Sequence, residues 1–286
     1  MISAVHTDRI AGVAMLATLR ANRWLTLVTL SLGVALIVID GTIVNVALPV
    51  IIRDLHLNFT DAQWVTTIYA LVFAGLLITT GRLADRFGRR RLFALGVVVF
   101  VVSSVFAGFA ASSGDLLAAR VFQGVGGALI LPSTLSTVNA TFVGRDRAIA
   151  FGVWGSVISG MAAVGPLLGG WLTTDHSWRW IFYVNVPVGA VLLVGIVLFV
   201  PETRGSDFAP GADIVGFLLS TVGLAALVFG LVEGGTYGWW RPTAALHLAG
   251  LTWSASAAVS IAAASIALGL ALLAIFVVWE RRRASA

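Results

Sequence analysis

The sequence predicts an all-α polytopic membrane protein, and three observations carry that prediction. The 286 residues are 59% hydrophobic and only 11% charged, whereas a soluble domain carries about 25% charged residues. A chain this apolar cannot cover a water-facing surface. Apolar runs of about 20 residues, the length that crosses a bilayer as a helix, recur along the whole chain. The breaks between them (RDLHLNFTD, DRFGRRR, SSGD, GRDR, DHSWR, PETRGSDFAPGAD) are short and carry charges or turn residues. Turns this short make sequential helices antiparallel neighbours.

The elements follow in order. Residues 1–23 form an N-terminal segment that is not a signal peptide: Asp8, Arg9, Arg20 and Arg23 leave only a short apolar patch, and the run from Trp24 exceeds an h-region. The first span, 24–50, contains LIVIDGTIVNVALP with Asp40 alone in an apolar stretch. A mid-membrane carboxylate costs about 3 kcal/mol on insertion scales, so a proton relay, an ion site or a buried partner is expected there. The second and third spans, 62–82 and 91–111, are joined by GRLADRFGRRR at 81–91. Its arginines Arg82, Arg86, Arg89, Arg90 and Arg91 anchor topology, while Gly81 and Gly88 allow a tight turn. Asp85 is expected to cap the next helix or to pair with a neighbouring arginine.

The fourth span, 115–138, reads ARVFQGVGGALILP and carries a second intramembrane charge, Arg120. Arg120 either snorkels to the near interface or pairs with a carboxylate. Gly124, Gly126 and Gly127 thin one face of that helix. The fifth span, 147–173, repeats glycine at Gly155, Gly160, Gly165 and Gly170, with Gly169 and a bending Pro166 among them. Small residues let helices approach closely in lipid, which suits a pivot or a seal between bundles. The sixth span is 180–200. A linker at 201–212, spans seven and eight at 213–232 and 254–279, and a basic tail at 280–286 complete the chain.

All 18 basic residues are arginine, and the pI is near 10.9. They are dispersed between spans and not gathered into a soluble basic domain, so nucleic acid is not expected as a partner. If the N-terminus is cytoplasmic, fourteen arginines fall on that side, three on the other and Arg120 within a span. This asymmetry places both termini in the cytoplasm. Trp24, Trp64, Trp178, Trp180, Trp240 and Trp279 are expected as interfacial anchors. No cysteine is present, and His6, His56, His176 and His247 lie near span ends without ligand spacing, so no metal or cofactor is expected. No metal-spaced His/Glu cluster, activated nucleophile or phosphate loop points to an enzyme.

Five motifs in register resemble the major facilitator superfamily, and within it the drug:proton antiporters with fourteen spans. LIVIDGTIVNVALP resembles the first-span motif of drug exporters, GRLADRFGRRR the loop between spans two and three, and RVFQGVGGA the fourth-span motif. GPLLGG resembles the antiporter motif, and WRWIFYVNVPVG at 178–189 the start of the sixth span. One departure is Met161, where the family usually has glycine, with Gly160 beside it. The resemblance implies an N-terminal six-helix bundle over 24–200 plus two additional transmembrane helices over 213–279. It also implies a bacterial plasma membrane location and proton-coupled export of amphipathic or cationic small molecules, driven by the proton gradient without a cofactor.

Asp40 and Arg120, both expected in the outer half of the bilayer, are the candidate proton-coupling pair, facing each other across a central cavity. Thr42, Asn45, Trp64, Tyr69 and Gln123 are the candidate cavity lining, and Gly81, Asp85, Arg86, Gly88, Arg89 and Arg90 the cytoplasmic gate loop. Gly160, Gly165, Pro166, Gly169 and Gly170 form the antiporter helix. Besides lipid and substrate, the expected partner is a missing C-terminal bundle or a second copy, because the family continues for six more spans. A fragment, a truncated product and a half-transporter all fit that length. Export of an endogenous metabolite or lipid, or a transport-inactive scaffold, are the competing functions.

Overall fold

The computed structural model describes residues 22–205, 213–248 and 251–284. Most of the expected N-terminal segment, most of the 201–212 linker and the end of the basic tail lie outside the described residues. The helices are α1 (Arg23–Asp54), α2 (Phe59–Phe87), α3 (Arg89–Gly108), α4 (Ser113–Thr141) and α5 (Gly144–Asp175), then α6 (Trp180–Tyr183), α7 (Asn185–Phe199), α8 (Ile214–Tyr237) and α9 (Ile261–Ala284). Eight helical segments among the described residues are long and apolar enough to cross a membrane, with α6 and α7 together making the sixth. The chain is an integral membrane protein.

Most helices run beyond the apolar runs, because local groups cap them inside the charged breaks. The Asn22 side chain accepts from the backbone N–H of Trp24 and Leu25 to open α1. Ser112 and Asp115 form a reciprocal capping box at the start of α4. Only Gly88 separates α2 from α3. Its φ of +111° is one that a residue with a Cβ rarely adopts.

Among the described residues the chain departs from an all-helical reading in one strand pair. Leu246–Leu248 (β1) pairs antiparallel with Leu251–Trp253 (β2), with Leu246 opposite Trp253. LHL and LTW alternate apolar and polar residues around Ala-Gly, a strand period and not a helical one. The eighth span therefore starts at Ile261 and not at 254.

Glycines set the helix contacts. A Cβ on Gly126 of α4 would lie 2.8 Å from the Phe100 nitrogen of α3, and one on Gly124 would lie 2.9 Å from the Tyr69 oxygen of α2. The α8–α9 pair closes through Gly230 against Ala262 and through Gly269 against Leu227. It docks on α2, where Gln63 bonds Thr236 at 2.7 Å and Thr79 meets Thr221 at 3.3 Å. At the other side of the bundle, Asp54 of α1 accepts from the Trp178 indole at 2.7 Å and from Arg179 at 2.8 Å. Trp178 is buried in this clamp.

Two large apolar clusters and a small one around Ala84, Leu92 and Leu129 fill the six-helix bundle. One large cluster gathers around Leu30, Phe93, Phe100 and Ile130; the other gathers around Ile43, Val44, Leu116 and Ile181. Along α1 the first cluster includes Ile37 and the second begins at Ile43. Asp40 lies between them.

Candidate functional site

Between the two apolar clusters five helices each turn a polar group inward. Asp40 comes from α1, Ser104 from α3, Arg120 and Gln123 from α4, and Asn185 from the first position of α7. The fifth helix, α2, supplies the Val65 carbonyl and the Tyr69 ring. Asp40 is 0% and Arg120 1% exposed. Arg120 Nη1 donates to Asp40 Oδ2 at 2.5 Å and to Gln123 Oε1 at 2.9 Å. Its Nε donates to the Val65 carbonyl at 3.1 Å, and its guanidinium carbon lies 4.2 Å from the Tyr69 ring centre.

The other carboxylate oxygen is served by neutral amides. Gln123 Nε2 donates to Asp40 Oδ1 at 2.9 Å, and Asn185 Nδ2 donates to it at 3.0 Å. Both amides also donate to Ser104 Oγ, at 2.9 and 3.1 Å, while Ser104 donates onward to the Phe100 carbonyl at 2.8 Å. A buried ion pair offsets its desolvation only when further hydrogen bonds satisfy both partners, as they do here. Of the two readings of Arg120, pairing with a carboxylate is the one the structure shows, and the open cavity expected between the pair is corrected. Arg120 does not snorkel, and the pair does not face across an open cavity, because the helices bring the two charges into contact inside the packed bundle.

The five residues expected to line a cavity do not share one wall. Gln123 and Tyr69 belong to the charge network. The Thr42 hydroxyl donates back to the Val38 carbonyl at 2.9 Å and sits where a Cβ on Gly165 of α5 would fall. Trp64 stacks on Phe229 of α8 at 6.1 Å. Asn45 is exposed and bonds only its own helix, at the Gly41 carbonyl.

At the arginine-rich end, Asp85 pairs with Arg89 at 2.7 Å across the Gly88 break, and Arg89 reaches the Ser136 carbonyl of α4. Asp85 does not cap α3. That role falls to Glu202, from the segment after α7, which accepts from the Arg90 backbone N–H at 3.1 Å and pairs with Arg91 at 3.6 Å. Arg86 lies over the Phe87 ring, and Gly81 faces Pro132. In α5, Gly165 and Gly169 pack on α1, whereas a Cβ added at Gly155, Gly160 or Gly170 would point into open space. Pro166 is exposed and lies within the helix.

Sequence reasoning missed Asn185 and Ser104, which complete the carboxylate's shell, and Glu202. A lone asparagine in the apolar run of α7 was the available signal. It also missed Glu233, which is 4% exposed in α8 and accepts from Thr67 of α2 at 2.9 Å. The seventh span was expected to end at 232, and its helix continues to Tyr237.

The family described as Major Facilitator Superfamily matches residues 30–285. The chain is 45% identical over 222 residues to the puromycin resistance protein pur8 of Streptomyces alboniger, covering 77% of this chain and 44% of that protein. It is 37% identical to the tetracenomycin C resistance and export protein of Streptomyces glaucescens, covering 81% of this chain and 44% of that protein. The chain thus spans less than half the length of these relatives. Among solved structures, a bacterial homolog of the human lysosomal transporter Spinster, inward-facing and occupied, shares the fold. Its TM-score is 0.57 at 24% identity, over 89% of this chain and 59% of that one. The peptide transporter POT gives a TM-score of 0.57 at 17% identity, over 74% of this chain and 52% of that one.

Proposed function

The chain belongs to the Major Facilitator Superfamily, and from that premise we propose that it supplies the N-terminal bundle of a proton-coupled exporter of drugs or other amphipathic small molecules. The observation that carries the reading is the Asp40–Arg120 pair, buried in a membrane helix bundle with both carboxylate oxygens and the Arg120 Nε and Nη1 hydrogen-bonded. A scaffold needs no such pair, and each charge alone is costly at that depth. Relatives named for puromycin resistance and for tetracenomycin C resistance and export support the substrate class.

The network gives the coupling a physical form. When Asp40 takes a proton, its attraction for Arg120 falls. Arg120 does not become an orphan charge, because the Val65 carbonyl, Gln123 Oε1 and the Tyr69 ring still hold it. The contact between α1 and α4 is therefore the one that weakens, while α4 stays tied to α2. Asn45, exposed on α1 near this point, and the open face of α5 are the surfaces offered to substrate and to a second bundle. The arginine-rich end is assigned to the cytoplasm by the arginine asymmetry. There the turn at 81–91, fastened by Glu202, serves as the gate, and alternating access follows by rocking of the bundles. The location is the bacterial plasma membrane, with the proton gradient as energy source.

The test is efflux from proteoliposomes holding the complete transporter that contains this chain, with an imposed pH gradient. Asp40→Asn is expected to abolish proton-driven export while leaving the fold intact. Undiminished proton-driven export in that variant sinks the reading.

A further inference from the structure

We propose that the groove between α3 and α4, in the half of the membrane away from the arginine-rich end, seats one zwitterionic phospholipid. Val98, Val102, Phe106 and Phe109 of α3 and Ala118 and Phe122 of α4 line a cavity of about 630 Å³. That volume lies in the range of small-molecule sites. The three phenylalanines are exposed, so the groove opens sideways from the bundle. Counted from Gly108, where α3 ends, Val98 lies ten residues in, about 15 Å along the helix. That is half of a hydrocarbon core of about 30 Å, the depth of one leaflet. The polar lining is sparse. The Ser103 hydroxyl turns back to the Val99 carbonyl of its own helix, and among the described residues of the lining the charged one is Asp115, at the mouth.

The charges at the mouth select the head group. Arg179 Nη2 donates to the Ala110 carbonyl at 3.0 Å, and Asp115 Oδ2 accepts from the Ala111 N–H at 3.2 Å. One peptide unit therefore holds a guanidinium at its oxygen and a carboxylate at its nitrogen, and Ala110 itself belongs to the lining. Arg179 also donates to Asp54 at 2.8 Å, and Asp115 also accepts from the Ser112 N–H at 3.0 Å. A guanidinium has five N–H donors and a carboxylate about four acceptor positions, so both groups retain capacity for a further partner. Asp115 is exposed and Arg179 partly so. An anionic head group meets Asp115 and a cationic one meets Arg179. A zwitterionic head group offers phosphate to Arg179 and ammonium to Asp115, while its chain continues down the groove.

The position gives the lipid a consequence. Ala119 and Phe122 line the groove, and their chain neighbours Arg120 and Gln123 point into the charge network. Ser103 lines it too, and its neighbour Ser104 accepts from Gln123 and Asn185. The groove is thus the back of the two helices whose inner faces hold Asp40. A chain seated there braces α3 against α4 at the depth of the network.

Quenching by lipids with brominated chains tests this on the complete transporter that contains this chain, in vesicles with neither substrate nor gradient. The chain has no cysteine of its own, so a bimane label on a cysteine placed at 118 reads the groove. A label at 231, exposed on α8 in the same half of the membrane, reads bulk lipid. The vesicles mix phosphatidylethanolamine with phosphatidylglycerol, one or the other brominated. At 118 the zwitterion should be preferred about threefold over the anionic lipid, the worth of one or two exposed ion contacts. At 231 no preference is expected. Asp115→Asn and Arg179→Gln should each remove the preference at 118 while quenching at 231 stays unchanged, which also shows that the variants fold. Equal behaviour at the two positions would mean that the groove takes bulk lipid only. Absence of quenching at 118 would mean that the second bundle covers it. Either result, or a preference for phosphatidylglycerol at 118, overturns the proposal. None of them touches the export reading, just as unimpaired export by Asp40→Asn leaves the groove standing.

Discussion

At the scale of single residues, Asp40 and Arg120 are set apart by how completely the bundle satisfies them. Arg120→Gln strands a buried carboxylate, and removing one partner of a buried pair costs about 3–5 kcal/mol. Asp40→Asn with Arg120→Gln removes both charges and should recover much of that loss, because two neutral amides suit the shell of Gln123, Asn185 and Ser104. Thermal unfolding in detergent measures this: a large drop for the single variant and a small one for the double. Equal drops would mean that the pair is not the seat of the cost. Asp40 and Arg120 were legible because a charge in an apolar run stands out. Ser104 and Asn185 were not, since small polar residues are common in membrane helices and only the fold shows which face the carboxylate.

At the scale of elements, α5 separates two uses of glycine that the five-residue spacing merges. Gly165 and Gly169 are the close-approach points with α1: a Cβ on Gly165 meets the Thr42 hydroxyl, and one on Gly169 lies 2.9 Å from Ile43 Cγ1 and 3.0 Å from the Ile43 carbonyl. Gly155, Gly160 and Gly170 lie open. Gly165→Ala and Gly169→Ala should each destabilise this chain by about 1–3 kcal/mol, in the range of overpacking. Gly160→Ala should leave its unfolding unchanged or raise it slightly, as alanine favours helix. Unfolding curves of the three variants distinguish the faces; equal losses at 160 and 165 would contradict the assignment. The same limit explains the element boundaries. Hydropathy marks where a helix is greasy, not where it is capped, so α1 runs to Asp54, past the apolar run. Likewise α8 runs past 232 to Tyr237.

At the scale of the whole molecule, the six-helix bundle and the additional pair are joined along α2, and the joint ends in a charged clamp. Asp213, at the N-cap of α8, receives Arg82 of α2 at 3.2 Å, Arg283 of α9 at 2.9 Å and the Trp279 indole at 3.0 Å, while Arg82 also pairs with Glu280 at 2.9 Å. This convergence is not legible in the sequence, since Arg82 and Arg283 lie 201 positions apart and each residue reads alone as a topology or span-end residue. Partial burial pushes the Asp213 carboxyl up, but it is outweighed by hydrogen bonds from the Gly216 N–H and the Trp279 indole and by the charge of Arg283. Together these hold it at about 2, against an ordinary 3.8. A carboxyl lowered in the folded state contributes stability that is fully present above its unfolded value. That contribution is lost as pH falls through the folded one. The clamp should therefore hold unchanged down to about pH 4 and release between about 4 and 2. Fluorescence of Trp279, taken as the difference from a Trp279→Phe variant, should report that release. Asp213→Asn should abolish the step and leave the indole in its released state at neutral pH. A Trp279 signal indifferent to both acid and Asp213→Asn would show that the additional pair stays on α2 through the Gln63–Thr236 and Thr67–Glu233 seam alone.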